Sequence, residues 1–244
     1  MVTPDFLQPD WPAPGGVRAV MTTRRGGVSS GAFASFNLAT HVGDEASAVA
    51  VNRRRLRDAL VLPSEPAWLE QVHGVGVAVL PEPAPAAADA VVTFARGCVC
   101  AVLVADCLPI FIASRAGDRV GIAHAGWRGL AAGVVEATVR ALDCDPRTLV
   151  AWLGPSIGPA AFEVGQEVRA AFLARDPGAA GAFQPGREGR FFANLPALAR
   201  LRLAGAGVVA AHGGELCTYS DPARFYSYRR DGATGRMAAL AWLA

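Results

Sequence analysis

Residues 89–114, DAVVTFARGCVCAVLVADCLPIFIAS, hold near-continuous runs of small and branched apolar residues with almost no polar alternation. Such runs read as strands buried on both faces, because a half-exposed strand alternates apolar with polar residues. At least two strands fit in the segment, so the fold is built on sheet that is covered on each side. The flanking sequence fits that plan. RVGIAHA (119–125) reads as a further strand, and LAAGVVEATVRAL (130–142) has helical spacing. On the N-terminal side, WLEQVHGVGVAVL (68–80) alternates well enough for one strand, followed by the loop PEPAPAAAD. Further out, VRAVMTT (17–23) is a strand, and a glycine- and serine-rich loop leads to a helix over 45–60. Asp44 is its expected N-cap, and Ala48, Val51, Leu56 and Leu60 form its apolar stripe. TLVAWLGPSIG supplies a strand and turn, EVGQEVRAAFLAR and NLPALARLRLAGAG supply helices, and VVAAH and MAALAWL supply strands, the last closing the sheet. There is no internal repeat, and the only biased stretch is the alanine and proline segment 81–88. The expectation is one mixed α/β (α+β) domain over residues 1–244.

Composition narrows the function. The chain has 244 residues and a 52% apolar share, but no apolar run approaches the roughly 18 residues of a membrane span. MVTPDFLQPDWPAPGG has neither a basic n-region nor an apolar h-region, so a cytoplasmic protein without a membrane partner is expected. All 23 basic residues are arginine. Without lysine there is no Schiff base, no P-loop lysine and no lysine base. RRRLR (53–57) reads as the solvated face of a helix whose leucines turn inward, so no nucleic-acid partner is expected. Five cysteines, an odd number without a secretion signal, read as free thiols, with Cys98 and Cys100 as small core residues.

Only four histidines are present, at 41, 73, 124 and 212. His73 in EQVHG shares a strand face with Gln71, Cys107 follows an apolar run in VADCLPI, and His124 ends another in AHAGWRG. Two histidines and a cysteine at the ends of buried strands make a three-ligand zinc site if those ends converge, with the fourth position open. The same residues also permit a Cys107 nucleophile with His124 as its base, or plain structural roles.

The motifs FNLATHVGDEASAVAVNRRRL, WLEQVHG, ADAVVT, VADCLPI, AHAGWRG, LGPSIG, FEVGQEV and ELCTYSDPARFYSYRRDGATGR, in this order from about residue 20 onward, resemble the YfiH family of laccase-domain, polyphenol-oxidase-like proteins. The resemblance implies a layered mixed β-sandwich flanked by helices, distantly shared with a class of toxin cysteine hydrolases, and one zinc held by His73, Cys107 and His124. It also implies phosphorolysis of adenosine, inosine, guanosine and methylthioadenosine, with hydrolytic deamination of adenosine. Two other readings stay open: a Cys107/His124 amidase that edits peptidoglycan precursors, and a non-catalytic zinc protein in which His41 or Cys217 supplies a fourth ligand.

The laccase label itself does not suit the chain. Multicopper sites draw on the order of ten histidines, largely in H-x-H pairs, and this chain has four histidines and no such pair. For the nucleoside chemistry, Asp106 beside Cys107 is the candidate proton shuttle, although adjacent strand residues face opposite ways. Arg128 at the start of a helix, Arg24 before the serine-rich loop and Arg229 in YSYRRDG are candidate phosphate ligands. Asn37, His41 and Gln71 are candidate hydrogen-bonding partners of the sugar or base.

Overall fold

Three strands come out of residues 89–114, and they do not share one sheet. The computed structural model describes residues 3–83 and 87–244, so the centre of the alanine and proline segment and the first two residues of the N-terminal reading lie outside the described residues. In chain order, β1 (Phe6–Leu7) and β2 (Val17–Thr22) lead to α1 (Ala46–Leu60). Then follow β3 (Ala67–Trp68), β4 (Val77–Leu80), β5 (Ala90–Thr93), β6 (Val99–Val104), β7 (Leu108–Ser114) and β8 (Val120–Ala125). Two helices, α2 (Trp127–Ala132) and α3 (Val134–Ala141), precede β9 (Leu149–Leu153) and β10 (Glu163–Gly165). The remainder is α4 (Gln166–Leu173), β11 (Phe183–Pro185), β12 (Arg190–Ala193), α5 (Leu195–Gly205), β13 (Ala210–Gly213), α6 (Tyr228–Asp231) and β14 (Met237–Leu243).

The strands form a five-stranded sheet in the order β1-β2-β14-β6-β3, a six-stranded sheet β13-β9-β7-β8-β5-β4, and a small sheet β10-β12-β11. The two large sheets enclose one core, where Met21, Cys100, Val102 and Ala239 from the first meet Phe111, Ile122 and Trp152 from the second. The outer face of the five-stranded sheet is covered by Leu56 of α1 with Phe36 and Leu38, packed on Val99, Ala101 and Leu103. The outer face of the six-stranded sheet carries α2, α3, α4 and α5 through Leu130, Val135, Val168 and Leu198. Consecutive residues of β6 therefore enter different cores, and both faces demand apolar side chains. That is why this stretch lacks polar alternation. The chain is the layered mixed sandwich with flanking helices that its sequence led us to expect. Among the described residues, no helix is long and apolar enough to cross a membrane.

Several boundaries move. Segment 68–80 is not one strand: pairing stops at Trp68 and resumes at Val77, and the intervening loop carries His73 at φ 60°. The helix expected over 130–142 begins earlier, at Trp127, and breaks at Gly133, whose φ of 111° suits a residue without a side chain. Strand β14 does not close the sheet at an edge but lies in its middle, between β2 and β6. The buried stripe of α1 is Val49, Asn52 and Leu56, and the residue at its N-cap is Glu45. Asp44 instead accepts from Ser29, Asn37 and the Glu45 N–H, tying the serine-rich loop to the helix start. Within RRRLR, Arg53 lies 4.1 Å over the Trp68 ring and donates to the Leu38 carbonyl, and Arg57 pairs with Glu65.

Candidate metal centre

The short connection between β6 and β7 carries the chain from one sheet to the other, and Cys107 is its last residue. The end of β8 places His124 opposite Pro109 of β7, which follows that thiol by two residues. His73 comes from the loop between β3 and β4, its ring 4.9 Å from the His124 ring and its Nε2 3.8 Å from the Cys107 Sγ. The ligand atoms of His73, Cys107 and His124 all lie within 4.8 Å of one another, with His73 exposed, Cys107 half-buried and His124 buried. They form a group that could hold a metal ion.

What fixes the two imidazoles is Asp89, a fully buried carboxylate just ahead of β5. His124 Nδ1 donates to its Oδ1 at 2.8 Å, which leaves His124 Nε2 for a metal. The backbone N–H groups of His73 (2.9 Å), Gly74 (2.6 Å) and Val72 (3.2 Å) donate to the same carboxylate. One charge thus orients one ligand ring and holds the loop that presents the other. Burial raises the Asp89 carboxyl, but the bonds from His124, Gly74 and His73 outweigh it and keep the group below the ordinary carboxylate range.

Gln71 fastens the same loop from the other side. Its amide donates to the Leu103 carbonyl at 2.9 Å and accepts from the Leu103 N–H at 2.8 Å, so the side chain continues the ladder beside β6 after β3 has ended. Close approach beneath the site needs glycine. A Cβ on Gly126 would stand 2.9 Å from His73 Cδ2 and 3.0 Å from Cys107 Sγ, and one on Gly129 would meet the Gly74 carbonyl at 2.8 Å. Gly126→Ala is expected to keep the fold, since only ligand side chains must yield, and to lower metal affinity by about 10-fold or more. Chelator competition on the folded variant checks this; wild-type affinity would refute it.

The electrostatics favour the ligating forms. Burial pushes the Cys107 thiol up, yet the neighbouring His124 and His73 imidazoles more than reverse this and bring it below its ordinary value. Burial pushes His124 down, and the Cys107 and Asp89 charges reverse that and raise it. Both shifts favour the thiolate form of Cys107 and the protonated form of His124, and a cation bound there would take the place of that proton. The nitrogen, nitrogen and sulfur donors, the buried carboxylate behind them and the glycine floor fit a soft or borderline divalent ion such as zinc.

A cavity of about 360 Å³ opens over this group, and His41, Gln71, Tyr228 and Arg236 line it with the three donors. Of the candidate substrate contacts, the structure brings His41 and Gln71 to the cavity, the latter with its amide engaged by Leu103. The others sit elsewhere. Arg24 donates to the Ala34 and Pro222 carbonyls and lies 4.6 Å over the Tyr226 ring. Arg128 is exposed, stacked 4.5 Å over Trp127, and its helix is only 6 residues long. Arg229 donates to the Glu163 carbonyl and stacks on Phe162, lining a different hollow. Asn37 is buried and holds Ala39, Asp44 and the Arg236 N–H. Asp106, at φ 87°, accepts from the Thr218 hydroxyl at 2.6 Å and the Arg229 N–H at 2.7 Å, so it anchors the crossover turn instead of facing the donors.

Sequence reading passed over Asp89, Tyr228 and Arg236. The signal for Asp89 was present: an acidic residue heading a fully buried strand needs donors, and the HG pair sixteen residues earlier supplies backbone N–H groups.

The model of the family described as multi-copper polyphenol oxidoreductase laccase matches residues 18–244. The chain belongs to this family. The laccase-family membership extends to close relatives over nearly the whole length. The purine nucleoside phosphorylase PA4543 of Pseudomonas aeruginosa is 54% identical over 239 residues, covering 98% of each chain. The purine nucleoside phosphorylase YfiH of Escherichia coli is 52% identical over 240 residues, again covering 98% of each. Protein NMB0706 of Neisseria meningitidis, a solved structure, superposes with a TM-score of 0.93 at 49% identity and covers 98% of both chains. In this member of the laccase family the donor set is one thiolate and two imidazoles, not the imidazole-rich clusters that several coppers need.

Proposed function

We propose that this protein is a purine nucleoside phosphorylase that works with one zinc ion at His73, Cys107 and His124, and that it also deaminates adenosine. The observation that carries the reading is the cavity itself: three metal-ligating side chains in a hollow of small-molecule size, on a chain more than half identical to relatives named for this activity. In phosphorolysis a phosphate oxygen bonds to the ribose C1′ while the C1′–N9 bond breaks, its electron pair goes to the purine, and the departing base takes up a proton. In deamination a water oxygen adds at purine C6 and ammonia leaves. A zinc ion held by these three donors would supply Lewis-acid charge to either reaction. The protein's own residues position the rest. Asp89 keeps His124 in one tautomer, and Gln71 with Asp89 holds the His73 loop against β6 and β5.

Tyr228, 61% exposed on α6 at the cavity wall, offers a flat face for the purine. Tyr228→Ala is expected to raise the nucleoside KM about 10-fold, with kcat little changed, because base stacking on an aromatic ring contributes about 1–3 kcal/mol. The function is tested by incubating zinc-loaded protein with inosine and adenosine, with and without phosphate. Hypoxanthine or adenine with ribose 1-phosphate should form only when phosphate is present, and inosine should form from adenosine without it. Absence of any phosphate-dependent product overturns the phosphorylase reading.

A nucleophilic role for Cys107 in amide hydrolysis would compete with the metal for one sulfur, and a closed four-ligand site finds no fourth donor among the described residues.

A further inference from the structure

A phosphorylase needs a place for its anion, and the three arginines that the sequence singled out do not line the metal cavity. Arg236 does. It is the one arginine in the cavity wall among the described residues, half-buried in the irregular segment that leads into β14. Its Nη1 donates to the Thr234 carbonyl at 2.8 Å and the Gly235 carbonyl at 3.1 Å, which fixes the plane of the guanidinium. No hydrogen bond engages its Nε or Nη2 among the described residues, and none of the ion pairs among them includes it. By contrast Arg202, Arg224 and Arg230 each pair with a carboxylate.

The backbone around Arg236 is built to hold it there. Its N–H donates to Asn37 Oδ1 at 2.9 Å, and Asn37 is tied in turn to Asp44 and Ala39. A Cβ on Gly235 would fall 2.6 Å from the Tyr226 ring, so the segment passes that ring only with glycine there. His41 lines the cavity beside it, its imidazole held below the ordinary value by burial and then by the Arg236 and Arg53 charges. The Cys107 and Asp106 charges act on this guanidinium only from beyond ion-pair distance, and its one ring contact among the described residues is Tyr228 at 5.9 Å. A fixed, half-buried cation with N–H groups that no carboxylate engages is an incomplete interaction. An oxyanion completes it.

We infer that Arg236, with His41 beside it, is the anion subsite of the cavity and takes the phosphate that attacks the nucleoside. The inference rests on the phosphorylase reading for the identity of the anion, but the subsite itself rests on the geometry. Asn37 then acts as a positioning residue, holding Arg236 through its backbone and not touching substrate.

The test uses the zinc-loaded full chain as wild type, Arg236→Gln and Arg236→Lys. Inosine phosphorolysis is followed against inorganic phosphate, and calorimetry follows the binding of inorganic phosphate alone. Arg236→Gln should raise the phosphate KM about 10-fold or more and abolish the binding heat, with Arg236→Lys intermediate and the inosine KM within about twofold of wild type. An active wild type whose Arg236→Gln form keeps the wild-type phosphate KM and binding heat overturns the subsite. A wild type that binds phosphate through Arg236 yet forms no product overturns the phosphorylase reading and leaves the subsite standing. Where Arg236→Gln does not fold, phenylglyoxal labelling of the wild type decides: phosphate should slow modification of Arg236 at least about fivefold, by occupying its N–H groups, and an unchanged rate refutes the proposal.

Discussion

Cys107→Ala is expected to purify as a folded protein that carries less than about a tenth of the wild-type metal and has no measurable phosphorolysis. Structural zinc sites bind with about 10–16 kcal/mol, so losing one of three protein ligands removes on the order of a third of that, a drop of about 100-fold to 1,000-fold or more. The fold should survive because Cys107 is half-buried on a turn and takes no part in the strand ladders. Elemental analysis separates the two roles open to this sulfur. A Cys107→Ala protein that keeps its full metal content while losing activity would make the thiol a nucleophile and overturn the ligand assignment.

Asp89→Asn should be damaging in two ways at once. The carboxylate accepts four N–H groups, from His124 and from the backbone of Val72, His73 and Gly74. An amide presents an NH₂ to one side of that set, so at least one buried donor faces another donor, and the charge that favours the His124 imidazolium is gone. Breaking such a buried charged pair costs about 3–5 kcal/mol, and removing the carboxylate behind a metal-bound histidine lowers metal affinity by about 10-fold to 100-fold. Denaturant unfolding and chelator competition read the two effects separately. Wild-type values in both would show that the His73 loop is held without Asp89. A loss of stability alone, with metal affinity intact, would confine Asp89 to holding the loop.

The central sheets were legible because their strands are buried on both faces, and apolar runs such as 99–104 and 108–114 leave no other reading. From the residues alone His73, Cys107 and His124 were open also to a nucleophile pair or to structural roles; the family resemblance joined them into one set, and the structure brings them together as a group that could hold a metal ion. Segment 68–80 was misread because a side chain stands in for backbone there, with Gln71 pairing to Leu103 where a strand residue would. Alternation cannot reveal that substitution. Arg236 was missed because the sequence offers 23 arginines, and only the cavity distinguishes the one that lines it among the described residues. Arg24 and Arg229 satisfy their donors on backbone carbonyls far away in the chain, a use of arginine that leaves no local pattern.

The position of β14 governs when the cavity wall can be completed. This strand lies between β2 and β6 and follows both by well over a hundred residues, and Arg236 immediately precedes it. A nascent chain that has already laid down all three metal donors still has β2 and β6 with open inner edges and an unfinished cavity wall. During synthesis the donors, with His41 and Gln71, therefore emerge long before Tyr228 and Arg236, and the cavity wall is complete only when β14 zips the two halves of its sheet together.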